Sequence, residues 1–179
     1  MKGYWNQFVI PFKGMKEGKH NFVFDINKTF FEGFEHSLLE EGQVTVHMEL
    51  DRQKHMLVFR FEIKGSINLA CDRCLERYNQ HIEGRQVFIA KFSDFDQSDS
   101  DNEEVTILPE DAHEYDVSHQ IYEYINLLLP IKHVHEHQSE CKQEMINKIE
   151  EENNPNNEEK VVDERWKALE ELKKKMKNN

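Results

Sequence analysis

No stretch of this chain approaches the ~18 apolar residues a helix needs to cross a bilayer. Its first residues, Met1-Lys2-Gly3-Tyr4-Trp5-Asn6-Gln7, lack the apolar region of a secretory signal. Positive charge is in short supply: 23 Lys and Arg stand against 35 Asp and Glu, a formal net charge of −12. Broad attraction to phosphate is therefore disfavoured, because nucleic-acid binding is driven mainly by Lys and Arg displacing counterions; direct contact with RNA would need a local basic patch. Cysteine is scarce, three in 179 residues, and the odd number argues against a secreted disulfide scaffold. Catalytic signatures are missing as well: there is no G-x-S-x-G, no Gly-rich phosphate loop and no H-E-x-x-H. Nothing marks two of the carboxylates as an acid–base pair. The expectation is a cytoplasmic, non-enzymatic protein with no membrane contact, of a length that supports one domain with a core plus appendages. A mean hydropathy of −0.83 implies that part of it is tail rather than core.

What is present is period-two patterning through the first half. Phe22, Phe24 and Ile26 share one face; Val44, Val46, Met48 and Leu50 share another; after the polar turn Asp51-Arg52-Gln53-Lys54, so do Leu57, Phe59, Phe61 and Ile63. Two alternating runs around a polar turn predict an antiparallel hairpin with one wet face. Gly65 to Ala70 extends it, and Arg77 to Phe92 returns as a further extended segment. Helical spacing of Phe30, Phe31, Phe34, Leu38 and Leu39 predicts a helix over 28–40, stopped near Gly42. A second helix, capped by Asp116 and ended by Pro130, carries Ile121, Ile125 and Leu128 on one face. Tyr4, Trp5, Phe8 and Phe12 are placed at the core edge. The fold class expected is α+β: a curved, mostly antiparallel sheet or partly open β-barrel, two packed helices and a C-terminal amphipathic helix.

Three regions follow from the pattern. Residues 1–141 form the α+β core domain, interrupted at 94–104 by an acidic, Ser-containing run (DFDQSDSDNEE) that reads as a solvated loop. Residues 142–162 are a polar helical stretch and a flexible Asn-rich linker. Residues 163–179 form the amphipathic helix, with Trp166, Leu169, Leu172 and Met176 on one stripe and Lys173, Lys174, Lys175 and Lys177 at its end, matching the helix dipole. That stripe either docks on its own core or meets a partner.

Chemistry concentrates at Cys71-Asp72-Arg73-Cys74 and at the group His133, His135, His137 and Cys141. A redox C-x-x-C sits at a helix N-terminus, which lowers the attacking thiol's pKa; this pair lies between two strand-like runs. A zinc knuckle at a strand turn suits the residues better, and it needs two donors beyond the pair. The donor set is Cys71, Cys74, Cys141 and one histidine, His135 first and His133 as the alternative. The competing outcome is three packed thiols beside a polar loop, without metal.

Cys71-Asp72-Arg73-Cys74-Leu75-Glu76, then Asp116 leading a helix into Leu127-Leu128-Leu129-Pro130, then Asp163-Glu164-Arg165-Trp166-Lys167-Ala168-Leu169-Glu170-Glu171-Leu172, resemble in order the motifs of the YceD family. These proteins are linked to accumulation of large-subunit (23S) ribosomal RNA. The resemblance supports Cys71 and Cys74 as the signature pair and puts His135 where many relatives have a cysteine. Glu164 departs from the usual proline. The resemblance implies a non-enzymatic ribosome-biogenesis factor, with a ribosomal protein or large-subunit assembly intermediate as partner. The candidate contacts are Arg73, Arg77, Trp166, Leu169, Leu172, Lys173, Lys174 and Lys175. Two other classes stay open: an RNA-binding zinc module, which requires convergent cations, and a thiol-redox enzyme. The oligomeric state is not indicated.

Overall fold

The computed structural model describes residues 2–93 and 105–153; the acidic run and the C-terminal stripe lie outside them. Long alternating segments build one open five-stranded sheet, in the order β2 (Gly18–Ile26), β3 (Gly42–Arg52), β4 (Met56–Ala70), β5 (Arg77–Phe92) and β6 (Val105–Leu108). The first four are successive antiparallel neighbours, and β6 joins β5 in parallel. Expected and observed boundaries coincide at Arg77–Phe92, and the hairpin turns where the polar run placed it. A two-stranded pair of β1 (Val9–Ile10) and β7 (Tyr115–Asp116) stands apart. The sheet stays open rather than closing as a barrel, so the fold is mixed α+β.

One face of the sheet is the core. Phe24, Ile26, Val44, Val46, Met48, Leu50, Leu57, Phe59, Phe61 and Ile63 are all buried, at the alternate positions the pattern identified. The covering layer comes from the N-terminal segment, where α1 (Lys2–Trp5) precedes the buried Phe8 and Phe12, and from α3 (Ser118–Leu127), which buries Ile121 and Ile125. Phe8 and Phe12 therefore belong to the core itself, with Tyr4 and Trp5 packed against it. Asp116 stands one residue before the N-cap Val117, and its Oδ1 accepts the Ser118 N–H at 2.8 Å at the start of α3.

The 28–40 helix is not formed as predicted. Only α2 (Lys28–Phe31) is helical, started by the Asn27 side chain, which accepts the Thr29 N–H at 3.0 Å. Tertiary aromatic packing overrides the periodicity. Trp5 stacks on Phe30, Phe34 stacks on Tyr122 with centroids 4.2 Å apart, and the chain turns at His36 with φ +62°. Gly33 lies against the Trp5 ring, where a Cβ would come within 1.7 Å of Cζ2. Leu38, placed on the helix's apolar stripe, is 88% exposed.

Gly65 marks the closest approach of β3 and β4: a Cβ there would meet the Gln43 carbonyl oxygen at 2.2 Å and Val44 Cα at 2.6 Å. Both are backbone atoms and cannot rotate away. We expect Gly65→Ala to destabilise the fold by about 2 kcal/mol, in the range of overpacking. Urea denaturation checks it, and an unchanged midpoint would refute the close approach.

Candidate metal centre

β4 ends at Ala70 and β5 begins at Arg77, so the 71–76 turn is the tip of the longest hairpin in the sheet. The ladder closes with the Cys71 N–H donating to the Glu76 carbonyl at 2.9 Å, and the Leu75 N–H donates to the Cys71 carbonyl at 2.8 Å. Leu75 holds the left-handed conformation, φ +61°, which brings the chain round so that Cys71 and Cys74 face the same side.

The second half of the centre arrives from 60 residues downstream and is docked by Asp72. The Asp72 N–H donates to the His133 carbonyl at 2.6 Å, and Asp72 Oδ2 accepts the His133 N–H at 2.7 Å. This reciprocal clamp was not foreseen. Its only sequence signal is an Asp directly after the first cysteine, a residue apt for binding backbone N–H groups. It uses the His133 main chain, and two residues on His135 turns inward. His135 Nδ1 lies 3.7 Å from Cys74 Sγ and 3.5 Å from Cys141 Sγ, and its ring packs on Tyr78 at 4.9 Å between centroids. The donor atoms of Cys71, Cys74, His135 and Cys141 all lie within 4.8 Å of one another, and all four residues are buried. Of the two histidines weighed for the fourth place, the structure brings His135, and not His133, to the thiols.

This Cys₃His cluster can coordinate a metal ion. Tetrahedral zinc with bonds of about 2.3 Å to sulfur and about 2.0–2.1 Å to nitrogen sets S···N edges near 3.6 Å. The two sulfur-to-Nδ1 distances already have that length. Burial tends to raise the Cys71 thiol, but the backbone N–H groups of Cys74, His135 and Arg73, with the His135 side chain, outweigh it and hold its pKa down to about 6. Burial, then interaction with Cys74 and Cys71, pushes Cys141 up to about 11. A cation would relieve that mutual repulsion. The amides aimed at Cys71 are what a metal-bound thiolate requires around its sulfur. Cys71 is 0% exposed and Cys74 3%, whereas a dithiol oxidoreductase presents its attacking sulfur to solvent.

The family model for large ribosomal RNA subunit accumulation protein YceD matches residues 59–173, well over half of the chain. The chain belongs to the YceD family. The matched region runs from β4 through the complete cluster. Membership gives this YceD protein a non-catalytic role related to ribosome biogenesis, with ribosome-related partners. Comparison with curated proteins and with solved structures returned no match. No described helix is long and apolar enough to cross a membrane.

The remaining candidate contacts do not assemble into one patch among the described residues. Arg73 is half-buried in the cysteine turn. Arg77 pairs with Glu40 and donates to Asn68 Oδ1 at 3.1 Å. Arg85 pairs with Glu62 at 3.0 Å and, eight residues along β5, stands roughly 27 Å from Arg77. Trp166, Leu169, Leu172, Lys173, Lys174 and Lys175 lie outside the described residues.

Two outcomes are expected. Freshly purified protein should carry close to one equivalent of zinc by elemental analysis, and Cys74→Ser should lose most of it and melt at lower temperature; equal metal content in both would refute the site. In metal-free protein the thiolate absorbance should begin to rise near pH 6, with Cys71, and should still be rising near pH 11, with Cys141. Because the folded Cys71 pKa is depressed, its contribution to stability is complete above about pH 9 and fades as pH falls through about 6. A lone transition near pH 9 would contradict the hydrogen bonding described at Cys71.

Proposed function

We propose that this protein supports the synthesis, processing or stability of large-subunit ribosomal RNA by binding a ribosomal protein or an assembly intermediate. The family match carries this reading, since it runs continuously through β4, β5, α3 and the metal cluster. Charge favours a protein partner: at −12 the chain attracts the basic proteins of the ribosome and repels bare phosphate. Zinc held by Cys71, Cys74, His135 and Cys141 would act structurally, fastening the 71–76 turn and the 133–141 loop into one surface with Arg73 beside it. The C-terminal stripe of Trp166, Leu169 and Leu172, followed by Lys173, Lys174 and Lys175, supplies a second contact.

A second reading, direct RNA contact, is favoured by one observation at the opposite end of the sheet. Lys13, Arg52, Lys54 and His55 line a cleft of about 280 Å³ together with Phe12 and Phe92, with Glu110 its only acidic lining residue. Among the described residues none of the three cations enters an ion pair with a carboxylate. Arg52 donates to the Phe12 carbonyl at 3.0 Å, and Lys13 Nζ meets His113 Nδ1 at 3.0 Å.

Affinity purification from cells with and without ribonuclease, followed by identification of bound RNA and proteins, separates the two. We expect large-subunit components that survive ribonuclease. An eluate without ribosomal components would sink both readings. Complete loss on ribonuclease treatment, with binding to isolated ribosomal RNA that falls steeply with salt and weakens in Lys54→Glu, would replace the adaptor by an RNA-binding module.

A further inference from the structure

The hydrogen-bond phase of the sheet can be read from its ends. The Gln53 N–H donates to the Met56 carbonyl and the Asn68 N–H to the Glu41 carbonyl, at opposite ends of the β3–β4 ladder. Bonded and non-bonded pairs alternate along antiparallel strands, so the odd-numbered residues of β3 bond to β4 and the even-numbered ones to β2. Their β2 partners are the even residues, His20 opposite Leu50, Phe22 opposite Met48 and Phe24 opposite Val46. Lys19, Asn21, Val23 and Asp25 therefore send their N–H and C=O groups out of the sheet. All four are exposed, and no described main-chain group bonds to them from that side.

Natural edges are blunted by bulges, prolines or short length. The β2 edge has none of these three: nine residues pair continuously with β3, without a bulge, the strand contains no proline, and its outward charges, Lys19 and Asp25, are opposite in sign. Val23, 58% exposed, sits at its middle on the solvent face.

We propose that this edge pairs with the same edge of a second copy of the chain, antiparallel, about a two-fold axis through Phe22. Three constraints select that register. The open hydrogen-bonding groups belong to odd residues, so odd must oppose odd. With Phe22 facing its own copy, Asn21 opposes Val23 and Lys19 opposes Asp25, and every outward N–H and C=O finds a partner. Charge then decides among neighbouring registers: Lys19 and the second copy's Asp25 stand on the same face as opposite charges, and the pairing occurs twice by symmetry. Shifting by one position on either copy aligns even residues with odd ones, and shifting by two removes Lys19 from Asp25. Within each copy Lys19 already pairs with Glu49 at 3.0 Å and Asp25 accepts from Thr45 at 3.4 Å, which fixes both side chains on that face. On the far side the sheet ends in β6, only four residues long, and in the first part of β5, lined by Arg77, His81, Glu83 and Arg85; short length and charge are both forms of edge protection.

The test is association of the full chain by analytical ultracentrifugation over a wide concentration range, with amide exchange as the residue-level readout. We expect mass to rise from 21.5 kDa toward twice that value as concentration increases. Amides of residues 19, 21, 23 and 25 should become protected in parallel. Lys19→Glu and Asp25→Lys should each weaken association at least tenfold, and the double variant should restore it. Val23→Pro removes an N–H that points away from β3, so it should abolish association while leaving the melting temperature of the monomer nearly unchanged. Should Val23→Pro fail to fold, the charge swap stands as the independent test. A monomer at all concentrations would overturn the proposal. So would a dimer whose protection lies at residues 79–87 of β5, or a charge swap that fails to restore association.

Discussion

The β4–β5 ladder is the constraint on which the rest of the molecule depends. Fifteen consecutive pairs, from Met56 opposite Lys91 to Ala70 opposite Arg77, lock two long strands in one register. A one-residue slip would turn every core side chain of β4 to solvent, so the burial of Leu57, Phe59, Phe61, Ile63, Ile67 and Leu69 fixes that register. The same register delivers Cys71 and Cys74 to one end of the hairpin. At the other end it places Arg52, Lys54 and His55 beside Phe92. Metal donors and cleft are opposite termini of one rigid element.

At the cysteine end the ordinary means of holding a fold runs out. The main core stops at Leu69 and Tyr78. Beyond it lies a separate cluster of Cys71, Cys74, Cys141 and Ile146, flanked by Val134 and Met145. The segment that reaches back from α3 is mostly polar: Lys132, Glu136, His137 and Gln138 are exposed, and α4 (Gln143–Glu152) contributes only Ile146 as a buried residue. So small an apolar set contributes too little burial to offset ordering more than twenty residues. The two hydrogen bonds between Asp72 and the His133 main chain help, and a zinc ion bound by residues from both segments would add the cross-link that the core lacks. The amides directed at Cys71 fit that reading, because they hold a thiolate in a place where burial alone would forbid one.

How much of this was legible in the chain depends on the range of the forces involved. Period-two alternation is a local record of which face is buried, and it located β2 to β5 closely. The 28–40 helix failed because Phe30, Phe31 and Phe34 are spaced for a helix yet answer to Trp5 and Tyr122, far away in sequence. The three thiols were identifiable by type, and His135 by its place in the histidine cluster, where the family resemblance puts a donor. The Asp72–His133 clamp was not, since its His133 side is all main chain and only Asp72 carries a side-chain signal. With His133 held by its backbone, His135 is the histidine whose Nδ1 lies 3.5 Å and 3.7 Å from the Cys141 and Cys74 sulfurs.

Charge is distributed in a way that the net value conceals. Across the solvent face of the sheet, Glu49 lies between Lys19 and Arg60, Glu62 meets Arg85, and Lys64 meets Glu83. These are exposed pairs, individually weak and screened by salt, and their joint effect is to leave that face close to neutral. A face so nearly neutral offers little to steer either a basic protein or a phosphate backbone. Among the described residues, the cleft around Lys13, Arg52 and Lys54 is where three cations without a carboxylate partner lie together. The cleft adjoins the end of the hairpin away from the cysteines. The metal cluster thus shapes its own end of the hairpin, while these cations lie at the other, where β3 turns into β4.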